Sequence, residues 1–170
     1  MNIQDKNNVF ISVINTHKGI LFKVANAYCK DNENRKDLLQ EIYIQLWKSF
    51  ESYNDDYQYS TWIYRISLNV AISFYRKENR RTEIANPFRS EVFDFSDTSN
   101  TDEKETNFMI LQQFIAELKE FDKAIILLYL EEKSYKEIAE MIGYSETNVA
   151  TRIGRIKLKL KAKFSQIKNQ

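Results

Sequence analysis

Only three glycines and one proline occur among 170 residues, and this scarcity restricts the fold more than any other feature. Glycine and proline supply the turns and breaks that short strands and irregular loops require. A chain with so few of them, rich in leucine, isoleucine, lysine and glutamate, has little but helix available to it. The expected class is therefore all-α. With 43% hydrophobic and 29% charged residues the composition is that of a globular chain. Its length suits one medium domain or two small ones.

Net charge is +1, and its distribution says more than its sum. Residues 1–81 carry twelve basic and nine acidic side chains, 82–109 carry two and seven, and 110–170 carry eleven and eight. Two mildly basic blocks thus flank an acidic strip, "TEIANPFRSEVFDFSDTSNTDEKETNF", which holds the lone proline, Pro87. The strip is rich in Ser, Thr, Asn and Asp and lacks sustained periodicity, so residues 83–107 read as an acidic flexible linker. Its acids suit either a basic path on a partner or the chain's own basic faces. The expected organisation is two small helical domains, 1–82 and 108–170, joined by that tether.

In the first block apolar residues recur at helical spacing over Val9–Tyr28, Leu38–Phe50 and Trp62–Tyr75. The second block reads as helices over Phe108–Leu118, Asp122–Glu131, Tyr135–Met141 and Glu146–Lys163, with Asp122, Ser134 and Ser145 as N-caps. Gly143 falls where a helix stops and the backbone needs positive φ.

The segment "SYKEIAEMIGYSETNVATRIGRIKLKLK" carries the most specific local pattern. Ile138, Ala139 and Ile142 form an apolar stripe on a short helix, Gly143-Tyr144-Ser145 makes a tight turn, and Val149, Ile153, Ile156 and Leu160 face inward from the next helix. At about 100° per residue, Thr147, Asn148, Thr151 and Arg155 fall on the opposite face. Hydrogen-bonding side chains near a helix start are what a recognition helix presents to base edges. Six bases between Arg152 and Lys163, with no acid among them, suit phosphate contacts. An ordinary helical hairpin with a solvated basic tail is the competing reading.

The stretch "STWIYRISLNVAISFYRKENRR" divides in two on a helical wheel. Ile63, Tyr64, Leu68, Val70, Ala71, Phe74 and Tyr75 form a broad buried arc. Trp62, Arg65, Asn69, Ile72, Ser73, Arg76 and Arg80 occupy the rest, extending about 22 Å from Arg65 to Arg80. Guanidinium groups hold phosphates, while amide and aromatic groups address bases. A solvated face with a half-packed Trp is again the alternative. In "NRKDLLQEIYIQLWKSF", Leu38, Leu39, Ile42, Tyr43 and Leu46 point one way, and Asp37, Gln40, Glu41, Ile44 and Lys48 point the other. An apolar Ile44 among acids and amides resembles a protein-docking patch.

These three segments, in this order, resemble a bacterial RNA polymerase sigma factor of the extracytoplasmic-function group of the sigma-70 family. "DLLQEIYIQLWKSF" is similar to the polymerase-binding helix of the second sigma domain, and "YSTWIYRISLNVAISFYRKENRR" to its promoter-melting helix. "LKEFDKAIILLYLEEKSYKEIAEMIGYSETNVATRIGRIKLKL" is similar to the whole fourth domain. The resemblance implies that Asp37, Gln40, Glu41 and Ile44 bind the clamp helices of core RNA polymerase. It assigns minus-ten DNA to Ser60, Thr61, Trp62, Arg65, Asn69, Arg76, Lys77 and Arg80, and the minus-thirty-five element to Thr147, Asn148, Thr151, Arg152 and Arg155. Implied partners are core polymerase (clamp helices and flap), promoter DNA and an anti-sigma factor. Ala150 departs from the pattern, standing where many relatives carry a base.

Other classes compete poorly. A stand-alone helix-turn-helix regulator would need the first block to sense a ligand or dimerise. An enzyme is not expected: His17, placed at an interhelical bend, is the one histidine, and Cys29 has no visible metal-ligand or triad partner. No GxxxxGK[ST] loop occurs, and no cofactor is expected. The single cysteine fits a reducing cytoplasm. The N-terminal "MNIQDKNNVF" lacks the features of a signal peptide, and the longest apolar run, Ala124 to Leu130, is far shorter than the ~18 residues of a membrane span.

Overall fold

A computed structural model describes residues 3–85 and 103–168, which form seven α-helices and no strand among the described residues. The first block is α1 (Ile3–Tyr28), α2 (Asn32–Ser49) and α3 (Tyr59–Ala85), with a short 3-10 turn at Phe50–Ser52. The second is α4 (Glu103–Glu117), α5 (Glu120–Leu130), α6 (Tyr135–Ile142) and α7 (Glu146–Lys168).

The junction of α1 and α2 shows how local chemistry sets these ends. Asp31 caps α2 by accepting from the Asn34 amide at 2.8 Å. Arg35 reaches back from the first turn of α2 and donates to the carbonyls of Cys29 at 3.3 Å and Lys30 at 3.1 Å, groups that a helix end leaves without partners. The three helices then bury Leu21, Val24, Leu38, Ile42, Leu46, Ile63 and Ala71 completely. These side chains form a core between mutually packed α1, α2 and α3.

In the second block Ser134 opens α6 with a reciprocal capping box. Its Oγ accepts from the Glu137 amide at 3.2 Å, and the Glu137 carboxylate accepts from the Ser134 amide at 2.8 Å. These bonds hold the Glu137 carboxyl below its ordinary range, the backbone bond contributing most. Gly143 ends α6 at φ 76°, in the left-handed region where only glycine is unstrained. Ser145 caps α7, accepting from the Asn148 amide at 3.2 Å. Ile138, Val149, Ile153 and Ile156 are buried against Ala124, Ile125 and Leu128.

The helices differ from the sequence expectations at several points. α1 passes unbroken through His17, because Gly19 weakens a helix without ending it, so that residue sits in mid-helix rather than at a bend. α5 begins at Glu120 with Lys119 in the capping position and no side-chain cap, which places Asp122 inside the first turn. Helix also extends into both ends of the acidic strip, over 83–85 and 103–107. The middle of that strip, 86–102 with Pro87, lies outside the described residues. Ile72 is only 6% exposed rather than part of the outer face. The reason is that α3 is contacted by α1, α2, α5 and α6, which widens its buried arc.

The last contacts are the main architectural finding. The two blocks pack together, α1 against α4 and α5 and α3 against α5 and α6, and their buried residues form one continuous cluster. No helix among the described residues is long and apolar enough to cross a membrane.

Candidate nucleic-acid and polymerase interfaces

On α2 the outer face stands as the wheel places it. Asp37, Gln40, Glu41 and Ile44 are all exposed, with Ile44 at 46%. Trp47, which the sequence reading passed over, adds to the apolar part at 39% exposure. Its ring lies edge-on to Phe10 at 5.0 Å with the Lys6 ammonium 4.9 Å above it. The spacing of three from Ile44 is the signal that could have found it.

The head of α3 and the loop before it make an aromatic cluster. Tyr53 stacks on Tyr59 at 4.5 Å and meets Trp62 edge-on at 5.2 Å, and the Phe50 ring lies tilted to the indole at 6.1 Å. Trp62 is half-buried, so part of its role is packing. Beside the cluster an open cleft of about 410 Å³ is lined by His17, Tyr53, Tyr57, Tyr59 and Ser60. His17 thus gains a place at this cleft from α1, a tertiary juxtaposition that no local spacing encodes.

Beyond its head, the outer face of α3 is divided between two neighbours. Asn69 and Ser73 line an open groove with Glu41 and Gln45 of α2. Arg65 and Arg76 turn instead toward the second block. Thr61, Trp62 and Arg65 share a small cleft with Glu137, Glu140 and Met141. Arg76 donates from Nε to the Glu120 carboxylate at 2.9 Å, and its guanidinium lies 5.0 Å from the Phe121 ring centre. Desolvation pushes the Glu120 carboxyl up, but bonds from its own amide and from Arg76, with the nearby positive charge, outweigh that and hold it below its usual range. Lys77 and Arg80 are exposed.

On α7, Thr147, Asn148, Thr151 and Arg155 are exposed. Arg152 is not presented with them. It donates to Asp122 of α5 at 2.7 Å and to Asn148 at 2.9 Å, and stacks 5.2 Å over Tyr144. The carboxylate expected to cap α5 is thus the one that draws Arg152 inward. Lys157 donates to the Tyr129 hydroxyl at 2.7 Å, across the ring it covers at 4.4 Å. Lys159 and Lys161 remain exposed.

These faces coincide with the matched parts of known proteins. Residues 13–81 match the Sigma-70 region 2 family and residues 108–160 match Sigma-70, region 4. The chain is 27% identical over 147 residues to the ECF RNA polymerase sigma factor SigM of Bacillus subtilis, covering 86% of this chain and 89% of that relative. It is 28% identical over 149 residues to the RNA polymerase sigma factor SigV of the same organism, covering 86% of each. In fold it is similar to the sigma factor RpoE of Bartonella quintana, solved in complex with the anti-sigma factor NepR, with a TM-score of 0.68, 18% identity, and coverage of 96% of this chain and 98% of that one. The first block is therefore a sigma region rather than the sensing domain that a stand-alone helix-turn-helix regulator would need. With both regions present in order, the chain belongs to the sigma-70 family and is an alternative RNA polymerase sigma factor of the extracytoplasmic-function group.

Proposed function

We propose that the residues on these three faces divide the work of initiation between polymerase, melted strand and upstream duplex. Asp37, Gln40, Glu41 and Ile44, with Trp47 beside them, dock on the clamp helices of core polymerase. Thr147, Asn148, Thr151 and Arg155 read the minus-thirty-five element from the major groove, and Arg152 sets the angle of α7 on α5. Ser60, Thr61, Trp62, Arg65 and Asn69 hold the non-template strand at the minus-ten element, with Arg76, Lys77 and Arg80 on phosphates upstream. The polymerase flap and an anti-sigma factor complete the set of protein partners. The work is done in the cytoplasm, and the chain itself catalyses no reaction.

The observation that carries this reading is the aromatic cleft at the head of α3, where Tyr53, Tyr57 and Tyr59 border a space open to a nucleobase. Separating DNA costs about 1.4 kcal/mol per base-pair step. A base stacked on an aromatic ring returns about 1–3 kcal/mol. A few captured bases with their phosphates are therefore enough to hold the strands apart, without nucleotide hydrolysis by this chain. Transcription from a matching promoter by purified core polymerase tests it. Trp62→Ala combined with Arg65→Ala is expected to lower stimulation at least tenfold, with polymerase binding intact. Unchanged stimulation would remove the strand-holding role from this face.

A further inference from the structure

A cavity of about 550 Å³ lies apart from the residues given above to polymerase and DNA. Its size falls in the ~300–1,000 Å³ range of small-molecule sites. All five helices from α1 to α5 contribute to its wall. Most of that wall is apolar: Ala27 comes from α1, Leu111 and Ile115 from α4, and Leu127 from α5. Phe108 and Leu130 complete it, and they are 59% and 48% exposed, so the packing leaves apolar surface uncovered here.

The polar part of the wall is short of acceptors. Tyr64 of α3 is only 3% exposed, yet its buried hydroxyl has no partner within hydrogen-bonding distance among the described residues. Burial first, and then the charge of Glu131, push its pKa up, so it stays protonated and able to donate. The Nε of Arg35 is likewise buried and unbonded. The other donors of that guanidinium go to Asn32 Oδ1 and to the carbonyls of Cys29 and Lys30, all neutral groups. Among the described residues Glu131 is the one carboxylate in the wall, and it is paired with Lys23. Two cations thus share one anion, and two buried donors lack an acceptor, which costs them their hydration without return. Water alone would satisfy the donors and leave the apolar wall wet.

We propose that this cavity binds a medium-chain aliphatic carboxylate, its acid group taken by Arg35 and Tyr64 and its tail laid along Leu111, Ile115, Leu127 and Leu130. An anionic head supplies the acceptors that the wall lacks and balances its spare positive charge. The tail displaces water from the apolar side chains. An alkylammonium of the same length brings donors to donors and adds a third cation, so the site selects by sign as well as by length. The ligand binds the folded chain and stabilises it by mass action. The site makes no use of the roles given to the polymerase and DNA faces.

The test uses the full chain without polymerase or DNA, and reads decanoate binding by calorimetry and by the melting temperature, below the concentration at which the acid forms micelles. Decanoate is expected to bind one to one and to raise the melting temperature. Octanoate should bind about tenfold more weakly, the worth of two buried methylenes. Decanol and decylamine, which keep the tail and lose the anionic head, should each bind at least about tenfold more weakly than decanoate. Tyr64→Phe removes a hydroxyl that no protein group satisfies, so the unliganded variant should melt no lower, while its affinity for decanoate falls about fivefold. Ala27→Leu occupies part of the cavity and keeps a good helix former in α1, and it should abolish binding. If Ala27→Leu folds poorly, Tyr64→Phe and the chain-length series decide the matter. No binding of decanoate, equal binding of decanol or decylamine, or full affinity in Tyr64→Phe or in a folded Ala27→Leu overturns the proposal.

Discussion

Glu132, between α5 and α6, is the one non-glycine residue at positive φ among the described residues, at 60°. The turn needs it there: its amide bonds Tyr129 at 3.0 Å and the next amide, of Lys133, bonds Leu128 at 3.2 Å, closing the end of α5. Left-handed backbone costs an L-residue about 1–2 kcal/mol, while glycine loses about 0.5–1 kcal/mol more chain entropy on folding. Glu132→Gly is therefore expected to stabilise the protein by about 0.5–1 kcal/mol, read as a higher denaturant midpoint with an unchanged slope. Nothing in the sequence marks this position, because glutamate gives no turn signal and the conformation is imposed by the helices on either side. Gly143 and Ser134 were legible for the opposite reason, since their chemistry acts within three or four residues of themselves. Asp122 misled because a carboxylate near a helix start looks like a cap until a distant arginine claims it.

The amphipathic pattern of each helix was legible, and so were the exposed faces of α2 and α7. What a wheel could not give was which neighbour each flank of an exposed arc would meet. α7 shows the consequence, since the family resemblance groups Arg152 with Arg155 on the upstream element and the structure separates them. Arg152 is half-buried, paired with Asp122 and stacked on Tyr144, while Arg155 is exposed. Arg152→Ala is expected to lower stability by about 1 kcal/mol, the scale of a partly screened charged hydrogen bond. By loosening α7 it should also weaken binding to every promoter alike. Arg155→Ala should leave stability within about 0.5 kcal/mol and weaken binding selectively, at one or two positions of the upstream element. Thermal melts beside binding to a panel of single-base promoter variants distinguish the two. Equal stability for both variants would mean that the Asp122 and Tyr144 contacts of Arg152 add nothing to the packing of α7.

Across the whole molecule, the packing of the two blocks was invisible in sequence. Its residues, Tyr28, Tyr75, Phe121 and Lys123, have the spacing of ordinary core or surface positions within their own helices. Lys123 is the most unusual of them. It is 2% exposed, with its ammonium 5.2 Å from the Tyr28 ring, 4.9 Å from the Tyr75 ring, and 3.2 Å from the Ala116 carbonyl. Two aromatic faces and a carbonyl are among the groups that stand in for the water it loses. Burying an ammonium costs its hydration, a cost that an apolar side chain in the same place does not carry. Lys123→Met retains the length and volume and removes the charge. It is expected to raise the melting temperature by about 2–4 °C, corresponding to roughly 1 kcal/mol in a chain of this size. A lower melting temperature would mean that the contacts Lys123 makes between the blocks outweigh the cost of burying its charge.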